Sequence, residues 1–176
     1  MLIISLINLD KNYYHSHAHS LLRECLKKHN ISYSRDTKIT YGKHGKPSLA
    51  DYPDIFYNIS HSDGISACMI GESECGIDCE KVRSYRPKVA KRVFSEKEKA
   101  LLESATGRER DLIFFRLWTL KEAYIKALGT GLSYPMNTVE FYFDGNNIIT
   151  NIENFSFKQY TIRDGEFVVS LCQKKS

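Results

Sequence analysis

Two short segments of the chain carry acidic and basic side chains within stretches that are otherwise apolar. They are residues 76–80, Gly-Ile-Asp-Cys-Glu, and residues 118–126, Trp-Thr-Leu-Lys-Glu-Ala-Tyr-Ile-Lys. If the first segment is extended, Asp78 and Glu80 leave the same face of the strand, because side chains alternate along it. The spacing therefore predicts two carboxylates that are placed to share one cation.

The second segment has a helical spacing. Trp118, Glu122 and Lys126 follow one another every fourth residue, which places them along one face of a helix and sets a third carboxylate beside a positive charge. Carboxylates are the ligands that Mg²⁺ takes in proteins. Together the two segments predict a metal-dependent active site. The alternative is a solvated Glu–Lys pair worth at most about 0.5 kcal/mol.

The composition is that of a globular protein. Hydrophobic residues make up 42% and charged residues 26% of the 176 residues, which is close to ordinary usage. The net charge of +4 is too small for the dense basic patch of a nucleic-acid binder, but it permits an acidic partner. Residues 2–9 are apolar over too short a run to span a bilayer, so they predict a buried strand.

The five cysteines include no Cys-x-x-Cys pair and lie mostly among apolar neighbours. They predict reduced core thiols in a cytoplasmic protein. A zinc site at Cys75 and Cys79 is disfavoured, because no second Cys/His pair is spaced to complete it.

Strand and helix signals alternate along the chain and define what must position the two segments. Apolar periodicity predicts helices over 15–29 and 110–128, the second ended by Gly129. A capping box at 95–98 predicts a third helix to about residue 105, stopped by Gly107. Residues 42–54 predict a loop and 83–87 a connector. Strands are predicted over 31–41, 55–59, 65–70 and 77–82, followed by a meander over 138–143, 148–152, 155–162 and 166–172.

Three further motifs accompany the two segments: Gly-Lys-Pro at 45–47 and Tyr-Asn-Ile-Ser-His-Ser at 57–62 precede them, and Gly-Thr-Gly-Leu at 129–132 follows them. In this order the five elements resemble the 4'-phosphopantetheinyl transferases, specifically the surfactin-synthetase-activating type. The resemblance covers residues 45–132, about half the chain. Each element alone is weak, whereas five in the right order are specific.

The resemblance implies an α+β fold of two similar halves, related by a pseudo-twofold axis and packed together with the active site between them. Residues 1–75 would form the N-terminal half, with a strand, a helix, a hairpin and the coenzyme A contacts. Residues 76–176 would form the C-terminal half, with the metal-ligand strand, helices and the meander.

The implied reaction moves the 4'-phosphopantetheine arm of coenzyme A to a serine hydroxyl of an apo acyl or peptidyl carrier protein and releases adenosine 3',5'-bisphosphate. Asp78, Glu80 and Glu122 would hold Mg²⁺, with Mn²⁺ as the alternative. Glu122, or a water held beside it, would act as the general base. Lys126 would stabilise charge on the pyrophosphate oxygens.

By the same resemblance, Lys46, Ser60 and His61 would contact the phosphates of coenzyme A. Lys43 competes with Lys46 for this part, and we favour Lys46 because a proline follows it. Gly45 is preceded by 44 residues, fewer than the family usually carries, and in the family the additional residues include a basic segment that contacts the ribose phosphate. Candidates to replace that contact are Arg23, Lys27 and Lys28.

A set of basic residues follows the Asp78–Glu80 segment and is a candidate surface for an acidic carrier protein: Arg83, Arg86, Lys88, Lys91 and Arg92. Trp118 is interpreted as core packing. The predicted protein is a monomer that binds neither nucleic acid nor membrane. Two alternatives stay open, a non-catalytic relative that binds carrier protein and a metal-dependent nuclease.

Overall fold

The N-terminal half is a three-stranded antiparallel sheet covered by one helix. The computed structural model of the protein describes residues 1–7 and 10–175. Strand β1 (Leu2–Leu6) leads to helix α1 (Tyr14–Lys27), a small hairpin of β2 (Ile39–Tyr41) and β3 (Pro47–Leu49), and then β4 (Phe56–Ser62) and β5 (Ile65–Gly71). The sheet order is β1-β5-β4.

The C-terminal half repeats this plan with two additional helices. Strand β6 (Cys75–Lys81) is followed by α2 (Pro87–Val93), α3 (Glu96–Glu103) and the long helix α4 (Gly107–Leu128). The hairpin of β7 (Phe141–Asp144) and β8 (Asn147–Thr150) precedes β9 (Phe155–Ile162) and β10 (Phe167–Lys174). The sheet order is β6-β10-β9, so in both halves the first strand pairs with the last. The predicted α+β fold of two similar halves is therefore confirmed.

Apolar side chains form a core within each half and a third cluster between them. Helix α1 buries Leu22, Cys25 and Leu26 against the first sheet, as the helical periodicity predicts. The third cluster joins β5 residues such as Ile65 and Met69 to residues of β6 and β10. The two sheets thus pack on one another, as the absence of a linker in the sequence predicts.

Close contact between β6 and α4 depends on a glycine. A Cβ atom added at Gly76 would overlap the carbonyl oxygen of Ala123 and lie 2.5 Å from the amide nitrogen of Ala127. Because backbone atoms of a buried helix cannot move aside, only glycine fits at this position. Gly129 ends α4 with φ of 68°, the left-handed conformation that favours glycine at a helix end.

Several predicted elements are confirmed within a few residues. The sequence correctly places two helices, α1 and α4, and five strands, β4, β5, β6, β9 and β10. Ser95 caps α3 through the predicted capping box with Glu98. The predicted strand over 2–9 is confirmed as β1, although Asn8 and Leu9 lie outside the described residues.

Other predictions are wrong. Only the last three residues of the predicted strand 31–41 are extended in a sheet, and the predicted loop 42–54 contains β3. Helix α2, which follows the predicted connector, was not predicted, and Gly107 is the first residue of α4. The four C-terminal strands form two hairpins in separate sheets, so there is no single meander among the described residues. The division at residue 75 stays a prediction.

No helix of the described residues is long and apolar enough to cross a membrane. All five cysteines are buried and free of disulfides, as predicted.

Candidate active site

The edge strands of the two sheets, β4 and β6, are joined by side chains. Alternate residues of β4 accept hydrogen bonds from main-chain amides of β6, so each amide gains a partner that a neighbouring strand would otherwise supply. The three pairs are Asn58 Oδ1 with Ile77 N at 2.9 Å, Ser60 Oγ with Cys79 N at 3.2 Å, and Ser62 Oγ with Lys81 N at 3.4 Å. These bonds fix the register of one half against the other.

The same serines orient the two acids of β6. Ser60 Oγ donates to Asp78 Oδ1 at 3.1 Å, and Ser62 Oγ donates to Glu80 Oε2 at 2.9 Å. Both acids therefore point toward β4, which confirms that Asp78 and Glu80 share one face of an extended strand. Arg83 also donates to Glu80 Oε2, at 3.3 Å.

Lys126 of α4 lies against the first acid. Its Nζ is 2.6 Å from Asp78 Oδ1 and donates to Ser60 Oγ and to the Ile77 carbonyl oxygen, each at 3.2 Å. Burial lowers the pKa of Lys126, but the Asp78 carboxylate outweighs it and the pKa lies above its ordinary value. The other oxygen of Asp78, Oδ2, is buried without a hydrogen-bond partner.

Glu122 lies one helical turn before Lys126, as the spacing predicts. The pKa of Glu122 is raised from 4.5 to about 7. Burial is the main cause, repulsion from Asp78 and Glu80 raises the pKa further, and the charge of Lys126 opposes the increase. The pKa of Glu80 is also raised, by burial and then by Asp78. The three carboxylates therefore act on one another, and they do so in a region where charge is poorly solvated.

The donor chemistry of this cluster fits a hard divalent cation. All three side chains are carboxylates from two elements, and Asp78 Oδ2 is buried with no partner. Among residues 1–7 and 10–175, however, no three Cys, His, Asp or Glu side chains are already grouped closely enough to hold a metal ion. Lys126 instead contacts Asp78. The metal assignment of Asp78, Glu80 and Glu122 stays a prediction.

A cavity of about 290 Å³ opens between the two halves, and of the three carboxylates it is Glu122 that lines it. The loop before β3 supplies Lys46 to its wall, and α4 supplies Glu122 and Lys126. Lys46 Nζ donates to the carbonyl oxygens of Cys75 at 3.1 Å and Ala127 at 2.6 Å. Burial lowers the pKa of Lys46. This favours Lys46 over Lys43, which is exposed and is not among the residues that line the cavity.

His61 lies on the opposite face of β4 from Ser60. Its ring centroid is 6.0 Å from that of His15 on α1. The structure thus brings Ser60, Asp78 and Lys126 into direct contact and places Lys46 at the adjoining cavity, whereas His61 faces the other side of the sheet.

The predicted basic surface is exposed on and before α2, apart from the contact of Arg83 with Glu80. Trp118 is only partly buried: it stacks on Phe114 with ring centroids 6.4 Å apart. It also lines a cavity of about 520 Å³ together with Lys88 and Arg92.

Three residues at or beside the site were not predicted from the sequence. Asn58 and Ser62 carry the same bridging contacts as Ser60, and the signal was the alternation Asn-x-Ser-x-Ser, which sets three polar side chains on one face of a strand. Lys121 was also missed. It is buried beside Glu122, with Nζ 2.7 Å from Glu98 Oε2, and it donates to the carbonyl oxygens of Met136 and Val139.

Comparisons with known proteins give a consistent family. The 4'-phosphopantetheinyl transferase superfamily model matches residues 74–172. The transferase gsp of Aneurinibacillus migulanus is 41% identical over 110 residues, 62% of this chain and 45% of that protein. The transferase Sfp of Bacillus subtilis is 33% identical over 142 residues, 78% of this chain and 63% of that protein.

Among solved structures, the holo-[acyl-carrier-protein] synthase of Thermotoga maritima is 26% identical with a TM-score of 0.48, covering 58% of this chain and 64% of that one. The chain spans less than two thirds of the length of the curated relatives gsp and Sfp. The family match covers more than half of the chain and includes the Asp78, Glu122 and Lys126 cluster. The chain belongs to the 4'-phosphopantetheinyl transferase superfamily.

Proposed function

We propose that this protein transfers the 4'-phosphopantetheine arm of coenzyme A to a serine hydroxyl of an apo acyl or peptidyl carrier protein and releases adenosine 3',5'-bisphosphate. The observation that carries the proposal is the ion pair of Lys126 with Asp78, with Glu122 one helical turn away on the wall of a cavity between the two halves. Membership of the transferase superfamily supports the same reaction.

In this reaction the serine oxygen forms a bond to the phosphorus that carries the pantetheine arm, and the bridging bond to the nucleotide phosphate breaks. Negative charge on the diphosphate opposes the attack. Lys126 is held in place by three acceptors, which use its three N–H donors, so the charge of its ammonium would stabilise the developing negative charge through its electrostatic field. Its raised pKa keeps it charged at neutral pH.

Asp78, Glu80 and Glu122 are the residues that would hold Mg²⁺, or Mn²⁺, in this site. When bound, such a cation neutralises diphosphate charge and orients the phosphates. Asp78 Oδ2 is the ligand atom with the strongest support, because it is buried and has no partner within the protein. Ser60 and Ser62 hold the two β6 carboxylates in position for this purpose.

We assign the general base to Glu122. A base works best when its pKa is near the working pH, and burial raises the pKa of Glu122 to about 7. In the described residues no side chain or amide donates a hydrogen bond to its carboxylate, which leaves the group available to take the serine proton.

Lys46, Ser60 and His61 are the proposed coenzyme A contacts. Lys46 lines the cavity and its ammonium is poorly solvated, which favours an anionic ligand there. Ser60 already contacts Asp78 and Lys126, so it would also position those two groups. The exposed basic residues of α2 are proposed to meet the acidic surface of the carrier protein.

The test is a mass measurement. The protein is incubated with coenzyme A, Mg²⁺ and an apo carrier protein, and the carrier is expected to gain the mass of one phosphopantetheine arm. Asp78→Asn keeps the shape of the side chain and is expected to abolish the gain. Asp51→Asn, at an exposed loop position, is the matched control and is expected to behave as wild type.

Carrier protein that binds but gains no mass would contradict transferase activity and favour the non-catalytic alternative. A metal-dependent nuclease is disfavoured by the modest charge of +4. We further propose that the protein works as a monomer without nucleic-acid or membrane partners. The five buried free thiols favour a reducing compartment such as the cytoplasm.

A further inference from the structure

The second sheet has an open edge on the side away from the proposed active site. In the order β6-β10-β9, strand β9 pairs with β10, which separates it from the strand of Asp78 and Glu80. In the first half the corresponding edge strand, β4, is bridged to β6 through Asn58, Ser60 and Ser62. Among residues 1–7 and 10–175 no strand pairs with the outer edge of β9, so alternate residues of this strand direct N–H and C=O groups outward.

A cavity of about 620 Å³ follows this edge. Five consecutive residues of β9, 157–161, line it. Because consecutive side chains leave opposite faces of a strand, a cavity that touches all five lies along the edge of the strand. The other residues that line this cavity, the β9 groove, are 146–148 of the β7–β8 hairpin and Leu112 and Arg116 of α4. Tyr160 within it is 43% exposed and offers the kind of aromatic surface that is enriched in protein interfaces.

The Arg116 guanidinium is held in a fixed orientation at this groove. Its Nε donates to Gln159 Oε1 at 2.7 Å, and its central carbon lies 3.6 Å from the centroid of the Phe143 ring. Gln159 is itself fixed, because its Nε2 donates to the Arg116 carbonyl oxygen at 2.9 Å and to Ser170 Oγ at 2.8 Å. Strands β7 and β9 therefore orient the guanidinium, and within the described residues its two terminal nitrogens make no hydrogen bond, which leaves them for a ligand.

The charge of Arg116 is not balanced by a neighbouring acid. Burial lowers the pKa of Arg116, and in the part of the chain that the structure describes no acidic side chain forms an ion pair with it. Lys158 adds a second positive charge to the groove, and none of the described residues that line it is acidic. A carboxylate can accept hydrogen bonds from both terminal nitrogens of a guanidinium, so it would compensate this poorly solvated charge.

We propose that the β9 groove binds an extended peptide of a partner protein, which pairs with β9 as an additional strand and places an acidic side chain on Arg116. The open edge would supply main-chain hydrogen bonds and Arg116 the specificity for an acid. A second copy of the chain fits less well, because pairing of two β9 edges would bring together two sets of Arg116 and Lys158. The groove lies at the other edge of the second sheet from Asp78, so a bound partner would leave the proposed reaction site open.

The probes for the test are capped peptides of about seven residues, which span about 20 Å as a strand. In each peptide threonine and valine alternate around a central Glu, Gln or Lys, and binding to the full chain is followed through its amide NMR resonances. The Glu peptide is expected to shift the amides of residues 146–148 and 157–161. It is expected to bind at least about tenfold more tightly than the Gln peptide, the size of one charge-assisted hydrogen bond, and the Lys peptide more weakly than either.

Variants of the protein and of the peptide separate the two parts of the proposal. Arg116→Gln is expected to remove the difference in affinity between the Glu and Gln peptides, whereas Arg35→Gln, at an exposed position in the first half, is the matched control and is expected to keep it. If Arg116→Gln does not fold, Lys158→Gln, at an exposed position of β9, is expected to reduce the difference about threefold. Of two Glu peptides N-methylated at alternate amides, the one whose blocked amides face β9 is expected to lose binding and the other to keep it.

Four results would overturn the proposal. Absence of amide shifts with the Glu peptide at millimolar concentration, or equal affinity of the wild type for the Glu and Gln peptides, would remove the acidic peptide site. Equal binding of the two N-methylated peptides would exclude strand addition. Shifts of the groove amides with inorganic phosphate and with none of the peptides would indicate a simple anion site. Shifts of the β9 amides that depend on protein concentration without peptide would assign the edge to a second copy. The transferase is tested separately by the mass assay, which contains no peptide.

Discussion

The most informative single change is Glu122→Gln in metal-free protein, because it separates stability from activity. Glu122 has a pKa of about 7 in the folded protein and 4.5 as its ordinary value. Between these two values the folded state binds more protons than the unfolded chain, so stability falls as the pH rises. Above about pH 7 the ionised carboxylate opposes folding, and replacing it with a neutral amide of similar shape is expected to stabilise the protein.

The size of this effect follows from the pKa change. At full ionisation it corresponds to about 3 kcal/mol. Glu122 is not fully buried, so solvent screening reduces the figure to about 1–2 kcal/mol. For a chain of this length that is a rise of roughly 5 °C in Tm near pH 8. Near pH 5 the expected difference is much smaller, because Glu122 is then protonated in the folded state.

Thermal unfolding followed by circular dichroism in a chelating buffer measures the difference, and the mass assay is run on the same samples. The expected result is a variant that is more stable and inactive. Glu103→Gln, an exposed acid on α3, is the control and is expected to change neither property. A Tm at pH 8 that is unchanged or lowered by Glu122→Gln would refute the conclusion that burial, together with repulsion from Asp78 and Glu80, raises the pKa of Glu122.

Three further outcomes are expected. Mg²⁺ should raise the Tm of wild type but not of Asp78→Asn, and equal shifts would remove Asp78 from the metal site. Gly76→Ala should lower the unfolding free energy by at least about 2 kcal/mol, because the added Cβ meets the α4 backbone. Gly42→Ala should cost far less, because the nearest atom to its added Cβ is 3.7 Å away. Comparable losses of the two variants in urea unfolding would contradict this reasoning. Lys121→Met should cost about 3–5 kcal/mol of unfolding free energy, because it leaves the carboxylate of Glu98, which is 1% exposed, without its cationic partner. Adding Glu98→Gln should restore part of the loss, and a double-mutant cycle in which the two losses simply add would argue against coupling.

The parts of the site that the sequence predicted are those fixed by local geometry. Asp78 and Glu80 share a face because an extended strand alternates, and Glu122 and Lys126 share one because a helix repeats every 3.6 residues. Each relation involves neighbours within one element, so it holds whatever the rest of the chain does. Gly129 was recognised as a helix end for the same reason.

The relations that the sequence did not predict join distant elements. Nothing in the spacing indicates that Asn58 and Ser62 bridge two sheet edges, since this depends on how the halves pack. The two halves share one order of elements with no visible internal repeat in their sequences. Nothing local indicates that Lys121 is buried, because its partner Glu98 lies on another helix. Helix α2 was missed because it is short and has many charged residues.

The charge balance of the site supports the proposal that it binds a cation. Asp78, Glu80 and Glu122 bring three carboxylates together, and Lys126 neutralises one of them directly. Arg83 is 45% exposed and contributes little to Glu80 through solvent. An excess of negative charge therefore remains in a poorly solvated region, which raises the pKa of both Glu80 and Glu122. Gly76 packs closely against α4, which holds the strand of Asp78 and Glu80 next to the helix of Glu122. Protonation or a divalent cation would relieve the repulsion, and of the two the cation would also neutralise a diphosphate substrate.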